Sequence, residues 1–159
     1  MPSMPTPQQI SERRRTFRQL HESGCFAIPN PWDVGSARYL EHLGFKALAT
    51  TSSGAAWSRA QADGQMSLDA VLAHLREMVG ATSLPINADF EAGFADDAAG
   101  VARNVRKALD TGVAGLSIED STGRPDQPLR SIDEAVVRMR AARAAIDGAG
   151  GGALLVARA

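Results

Sequence analysis

Apolar residues in this chain alternate between two rhythms. Short continuous runs fall at residues 26–29, 47–50, 85–89, 115–118 and 153–157. Between them lie longer stretches, at 34–43, 68–79, 97–111 and 132–146, where apolar positions recur every three or four residues. The short runs read as buried strands, because a strand covered on both faces needs little polar alternation, and the longer stretches read as amphipathic helices. Ser67 and Ser131 stand just before two of these helices, where a hydroxyl can accept from a free amide of the first turn. Gly44, Gly112 and Gly148 stand at helix ends, where a left-handed backbone is common. Strand followed by helix, repeated along the chain, predicts an α/β fold built from βα units around a parallel sheet.

The stretch before the first strand is different. Ile10, Phe17 and Leu20 fall at roughly helical spacing and Gly24 closes the segment, so an opening amphipathic helix is expected. Arg13, Arg14, Arg15 and Arg18 read as its solvated face. Residues 1–9, with three prolines and no apolar run, read as a flexible tail that is neither a signal peptide nor an anchor. Gly148-Ala149-Gly150-Gly151-Gly152-Ala153 matches the glycine spacing of a dinucleotide-binding turn. It follows a helix and leads into a strand, however, the reverse of what that motif requires, and reads as a flexible loop.

Composition narrows the function. The 159 residues are 44% hydrophobic and 22% charged with a formal net charge of -1, which fits one folded domain. That charge carries no footprint of nucleic acid or an anionic membrane, and small-molecule partners remain. No run approaches the ~18 apolar residues of a membrane span. The single cysteine, Cys25, cannot form an internal disulfide; beside Phe26, Ala27 and Ile28 it reads as a small buried residue, consistent with the cytoplasm.

Polar residues gather where the strands end. Asn30 and Trp32 follow the first, Thr51-Ser52-Ser53-Gly54 the second, Asp89 and Glu91 the third, Glu119 and Asp120 the fourth, and Arg158 the fifth. In a parallel barrel these ends converge on the face that carries the active site. Asp89 and Glu91, at alternate positions, can point into one mouth. Their repulsion is relieved by a hard divalent cation, and magnesium takes one or two carboxylates directly while keeping waters that Glu119 could hold. Solvated loop acids are the plainer alternative. The guanidinium of Arg158 matches a substrate carboxylate, or is a surface arginine. Ser53, Gly54 and Ala55 could offer amides to an enolate or carboxylate oxygen. His21, His42 and His74 lie in predicted helices and read as packing or surface residues. No Ser-His-Asp or Cys-His arrangement supports covalent hydrolysis.

Ile28-Pro29-Asn30-Pro31-Trp32-Asp33, Thr51-Ser52-Ser53-Gly54, Ala88-Asp89-Phe90-Glu91-Ala92-Gly93-Phe94 and Ser117-Ile118-Glu119-Asp120-Ser121 resemble, in order, motifs of the isocitrate lyase and phosphoenolpyruvate mutase group. Ala157-Arg158-Ala159 resembles the group's fifth-strand motif with its substrate-binding arginine. The resemblance implies a (β/α)8 TIM-type barrel of which residues 10–159 form the amino-terminal part. It also implies Mg2+, or Mn2+, held by Asp89 and Glu91 with Glu119 nearby, and Asp63 as a further active-site acid. Ser53, Gly54, Ala55 and Arg158 would meet the substrate.

Two departures refine what the resemblance implies. Isocitrate and methylisocitrate lyases carry Cys-Gly-His after the fourth strand, whereas residues 120–128 here read Asp-Ser-Thr-Gly-Arg-Pro-Asp-Gln-Pro, without thiol or imidazole. Phosphonomutases use lysine and asparagine in the same loop, and neither occurs. A complete barrel needs about 250 residues, so the chain is expected to hold about five βα units and to self-associate through open sheet edges. The expected function is a magnesium-dependent carbon-carbon lyase or decarboxylase for a small 2-oxo or 2-hydroxy acid, working through an enolate. Carbon-phosphorus chemistry on phosphonates and a noncatalytic barrel fragment are the alternatives.

Overall fold

The computed structural model describes residues 4–159; the start of the expected tail, residues 1–3, lies outside the described residues. Helix α1, Pro7–Leu20, begins inside that tail. Thr6 and Gln9 cap each other's backbone amides and Pro7 occupies the first turn, where its missing N–H costs nothing. These capping residues extend the helix beyond its first apolar position.

Four parallel strands form the sheet: β1 Leu48–Ala49, β2 Ile86–Asp89, β3 Gly115–Glu119 and β6 Leu154–Arg158, in the order β1-β2-β3-β6. Helices α2 Val34–His42, α3 Ser52–Trp57, α4 Leu68–Ala81, α5 Ala98–Leu109 and α6 Ile132–Gly148 fall between them. The expected first strand, residues 26–29, joins no ladder. Pro29 and Pro31 have no amide to donate, and the Pro29 carbonyl contributes one bond, from Ala49 N–H at 3.0 Å. The sheet therefore holds four strands rather than five. An antiparallel hairpin, β4 Ser121–Arg124 and β5 Gln127–Leu129, occupies the segment read as a loop after the fourth expected strand.

Side chains alternate across this sheet. Leu48, Ile86, Ala88, Leu116, Ile118 and Leu155 join the layer of α4, α5 and α6, whose Leu75, Met78, Val79, Val101, Val105, Ala142 and Ile146 complete the main core. On the other face, β2 carries Asn87 and Asp89, β3 carries Gly115, Ser117 and Glu119, and β6 carries Leu154, Val156 and Arg158. The registers Asn87↔Gly115, Asp89↔Ser117 and Glu119↔Arg158 put these in adjoining rows.

Helix α1 closes the amino-terminal end of the sheet. Phe17 is buried against Ala47 and Ala114, and a Cβ on Gly115 would lie 2.7 Å from its ring. The arginines of α1 are not simply a solvated face. Arg13 Nη1 donates to Val79 O at 2.8 Å, Arg14 Nε and Nη2 donate to Val113 O and Leu109 O at 3.0 Å each, and Arg18 Nη2 donates to Gly151 O at 3.0 Å. They satisfy carbonyls left open around the ends of other helices.

Two further expectations change. Cys25 is exposed, because the turn after α1 lies outside the core. Gly148 is still helical, and Gly150 and Gly151 take the positive φ angles, +93° and +69°. Gly44 and Gly112 have the expected left-handed backbone, at +87° each.

Candidate active site

The site is built at the carboxyl ends of β2, β3 and β6. Asp89 ends β2, where Thr50 Oγ1 accepts from its amide at 2.9 Å. Its carboxylate has two different sides. Oδ2 accepts from both the amide and the hydroxyl of Ser52, at 2.9 and 2.8 Å. Oδ1 faces Arg158 Nη1 at 3.3 Å, and the same nitrogen lies 3.2 Å from Glu119 Oε2. Arg158 thus bridges two acids from neighbouring strands, as a cation does.

Glu91 follows in a left-handed conformation, φ +45°, with Phe94 at +53°. Such strain at non-glycine residues persists only where surroundings enforce it. Here they do. Buried Arg138 of α6 donates to the carbonyls of Ala92, Ala95 and Asp96, and Asn104 of α5 donates to those of Gly93 and Phe94. The carbonyl of Glu91 also accepts from Glu119 N–H at 3.0 Å, tying the loop to β3.

Burial, then the charges of Asp89, Asp63 and Glu119, push the Glu91 carboxyl up to about 7. Glu119 is raised by burial as well, against the favourable pull of Arg158. Asp63 lies exposed in the segment after α3, yet its charge acts on both glutamates. The expected acids Asp63, Asp89, Glu91 and Glu119 therefore form one electrostatic group.

This donor set suits a magnesium ion that keeps most of its water. Among the described residues no three carboxylate, imidazole or thiolate groups form a closed metal cage. Magnesium keeps much of its water and needs only one or two direct carboxylates, so a sparse group of mutually repelling acids suits it. Asp89 turns toward that group the oxygen that Ser52 leaves open, Oδ1, whose one partner is the mobile-stemmed guanidinium of Arg158.

The Ser53-Gly54-Ala55 segment is less open than expected. Within the first turn of α3, Gly54 N–H donates to Thr51 Oγ1 at 3.2 Å and Ala55 N–H to Thr51 O at 3.0 Å. A Cβ on Gly54 would lie 2.7 Å from Thr51 Cγ2 and 3.0 Å from Trp32 Cβ, so glycine here accommodates packing. Ser53 lies with Trp32 and Trp57 on a cavity of about 430 Å³. A larger cavity, about 600 Å³, lies between α6 and β6 and has Glu119 and Arg158 in its wall.

None of the histidines enters the site. His74 is buried in α4, where desolvation holds it down to about 4. Sequence reasoning missed Ser52, Arg138 and Asn104. A charged residue on the buried side of a helix, as at Arg138 beside Ala142 and Ala145, is a readable signal.

The family model for phosphoenolpyruvate phosphomutase matches residues 17–159. The chain belongs to the phosphoenolpyruvate mutase and isocitrate lyase family. Among curated relatives, 2-methylisocitrate lyase of Escherichia coli (strain K12) is 37% identical over 137 residues, covering 80% of this chain and 46% of the relative. Oxaloacetate decarboxylase of Pseudomonas entomophila (strain L48) is 34% identical over 142 residues, covering 81% and 47%. The chain thus spans about half the length of these relatives.

Solved family structures share the fold. Oxaloacetate acetylhydrolase in complex with the product oxalate superposes with a TM-score of 0.84 at 31% identity, covering 93% of this chain and 53% of that one. Phosphonopyruvate hydrolase in complex with oxalate and Mg2+ gives 0.85 at 25% identity, covering 92% and 52%. The parallel α/β sheet is that of the family's TIM-type barrel. Among the described residues no helix is long and apolar enough to cross a membrane.

Proposed function

We propose that this chain carries the metal and substrate-carboxylate half of a magnesium-dependent lyase acting on a small 2-oxo or 2-hydroxy acid. The observation that supports this reading most directly is the cluster formed by Asp89, Glu119 and Arg158. A cation already bridges two acids there, on the inner face of the sheet. Named relatives that cleave or decarboxylate such acids support the substrate class.

In this reading Asp89 and Glu91 would hold the ion, with Glu119 as a further acid beside it. Bound magnesium would supply positive charge to oxygens that gain electron density as an enolate forms. The residues of the chain then divide the remaining work. Arg158 swings from its two acids to a substrate carboxylate, which its planar guanidinium matches. Ser53 stands at the first turn of α3 to donate to a substrate oxygen. Asp63 contributes negative field at the mouth. The exposed hairpin of β4 and β5 carries no cysteine, histidine or lysine, so isocitrate and methylisocitrate are disfavoured as substrates relative to acids that need no such group.

Calorimetric titration of magnesium into the wild type and Asp89→Ala tests the centre of this reading. The expected result is saturable binding in the wild type and at least about a hundred-fold weaker binding in the variant. Equal affinities would remove the metal assignment. A parallel assay follows magnesium-dependent release of pyruvate from oxaloacetate, with a chelator as control.

A further inference from the structure

Ser52 ends its side chain on the one oxygen of Asp89 that does not face the mouth. Both its amide and its hydroxyl donate to Oδ2, at 2.9 and 2.8 Å, while Oδ1 alone points to the guanidinium of Arg158. Two donors on one carboxylate oxygen do more than hold the group still. They occupy the lone pairs that a second metal bond to the same carboxylate would use.

That asymmetry bears on which ion the site takes. Calcium accommodates many oxygen ligands and commonly takes a carboxylate through both oxygens, whereas magnesium demands compact octahedral geometry with single oxygens and waters. We infer that Ser52 is a positioning and metal-selectivity residue, which fixes Asp89 as a one-oxygen ligand and thereby favours magnesium over calcium. This inference rests on the reading of Asp89 as a metal ligand given above. It extends that reading to a residue that touches neither substrate nor ion.

The local backbone permits a graded set of variants. Ser52 occupies the first position of α3, where proline is well tolerated, and the preceding Thr51 is extended, φ -130° and ψ 118°, as a residue before proline prefers. Ser52→Ala removes one of the two hydrogen bonds to Oδ2. Ser52→Pro removes both, and its ring carbon takes the place of the amide hydrogen that meets Oδ2, so it also displaces the carboxylate. Ser52→Thr keeps both.

Magnesium and calcium are titrated separately by calorimetry into the wild type, these three variants and Asp89→Asn, with circular dichroism to verify the fold. Magnesium affinity is expected to fall about ten-fold in Ser52→Ala and up to about a hundred-fold in Ser52→Pro, and to be retained in Ser52→Thr. Calcium affinity is expected to fall less or to rise, so the magnesium-to-calcium ratio drops in the same order. A merely structural role would weaken both ions together and leave the ratio unchanged, which would overturn the selectivity role. If Asp89→Asn abolishes binding while Ser52→Ala and Ser52→Pro match the wild type, Ser52's role alone is overturned. If Asp89→Asn binds magnesium like the wild type, the metal assignment and the role of Ser52 fall together.

Discussion

Below the amino-terminal ends of the strands, Arg13, Arg14 and Arg18 donate to main-chain carbonyls. Above the carboxyl ends, Asp89, Glu91 and Glu119 face one another, with Arg158 between two of them. The first arrangement pairs each inward guanidinium with neutral main-chain dipoles near helix ends. The second brings like charges together and raises the free energy of holding them ionised. Opposite ends of a barrel divide in this way when one end stabilises the fold and the other carries chemistry. A fully satisfied polar cluster gains nothing from a further ion, whereas a frustrated one does.

The comparison breaks first at Phe17. Its buried ring sits beneath the sheet against Ala47, Ala114 and Gly115. Phe17→Ala is expected to destabilise the protein by about 3–5 kcal/mol, through lost burial and the cavity left behind. Urea denaturation measures this. Magnesium affinity of the folded variant should stay at the wild-type value, because the ring lies at the end opposite Asp89. A loss of affinity with the fold intact would show that the two ends are coupled.

A smaller effect is expected at Arg14. Arg14→Met keeps much of the apolar stem but removes the donors to Val113 O and Leu109 O. Leaving buried carbonyls short of partners costs about 1–3 kcal/mol. Leu109 O also accepts from Gly112 N–H, so the lower part of that range is expected. Denaturation midpoints in urea check it, and an unchanged midpoint would return this arginine to the solvated face that its spacing suggests.

The two ends also differ in how far the sequence reveals them. At the carboxyl ends, Asp89 and Glu91 are two residues apart at the close of an apolar run, and Glu119 and Arg158 close two others. Strand periodicity therefore brings Asp89, Glu119 and Arg158 onto one face without any knowledge of tertiary structure. At the amino-terminal ends, the acceptors of Arg13 and Arg14 are carbonyls 66 to 99 residues away. Every residue has a carbonyl, so composition cannot mark which one is left open. The same reason hides Asn104, and it hides what Arg138 meets even though that residue's place on a buried helix face is readable: the acceptors of both are the backbone of the loop around Glu91. Ser52 is hidden differently: its neighbour Ser53 is an equally plausible donor, and only the start of α3 at Ser52 aims that residue at Asp89. Prolines 29 and 31 were visible throughout, and their missing amides outweigh the apolar run that predicts a strand there.

The sharpest contrast, though the smallest in energy, is Glu91→Gln. Burial and the neighbouring acids raise the Glu91 carboxyl from an ordinary 4.5 to about 7 in the folded protein. The folded state therefore binds this proton more tightly than the unfolded chain does. Stability from that proton is fully present below about pH 4.5 and is lost as pH rises through about 7. At pH 8 the folded protein holds an ionised Glu91 among like charges, and glutamine removes that charge while keeping the shape. Because Glu91 is only half-buried, solvent screens the repulsion, and a gain of about 1 kcal/mol is expected in the absence of divalent ions. At pH 4, where the carboxyl is protonated in the folded protein, the gain should shrink toward nothing. Thermal unfolding at the two pH values, with a chelator present, measures the difference. Substitutions at the arginine-lined end are expected to weaken the fold at either pH. A Glu91→Gln variant that is equally destabilised at both would mean that Glu91 is held by packing rather than opposed by charge. The site would then not be the frustrated end of the barrel.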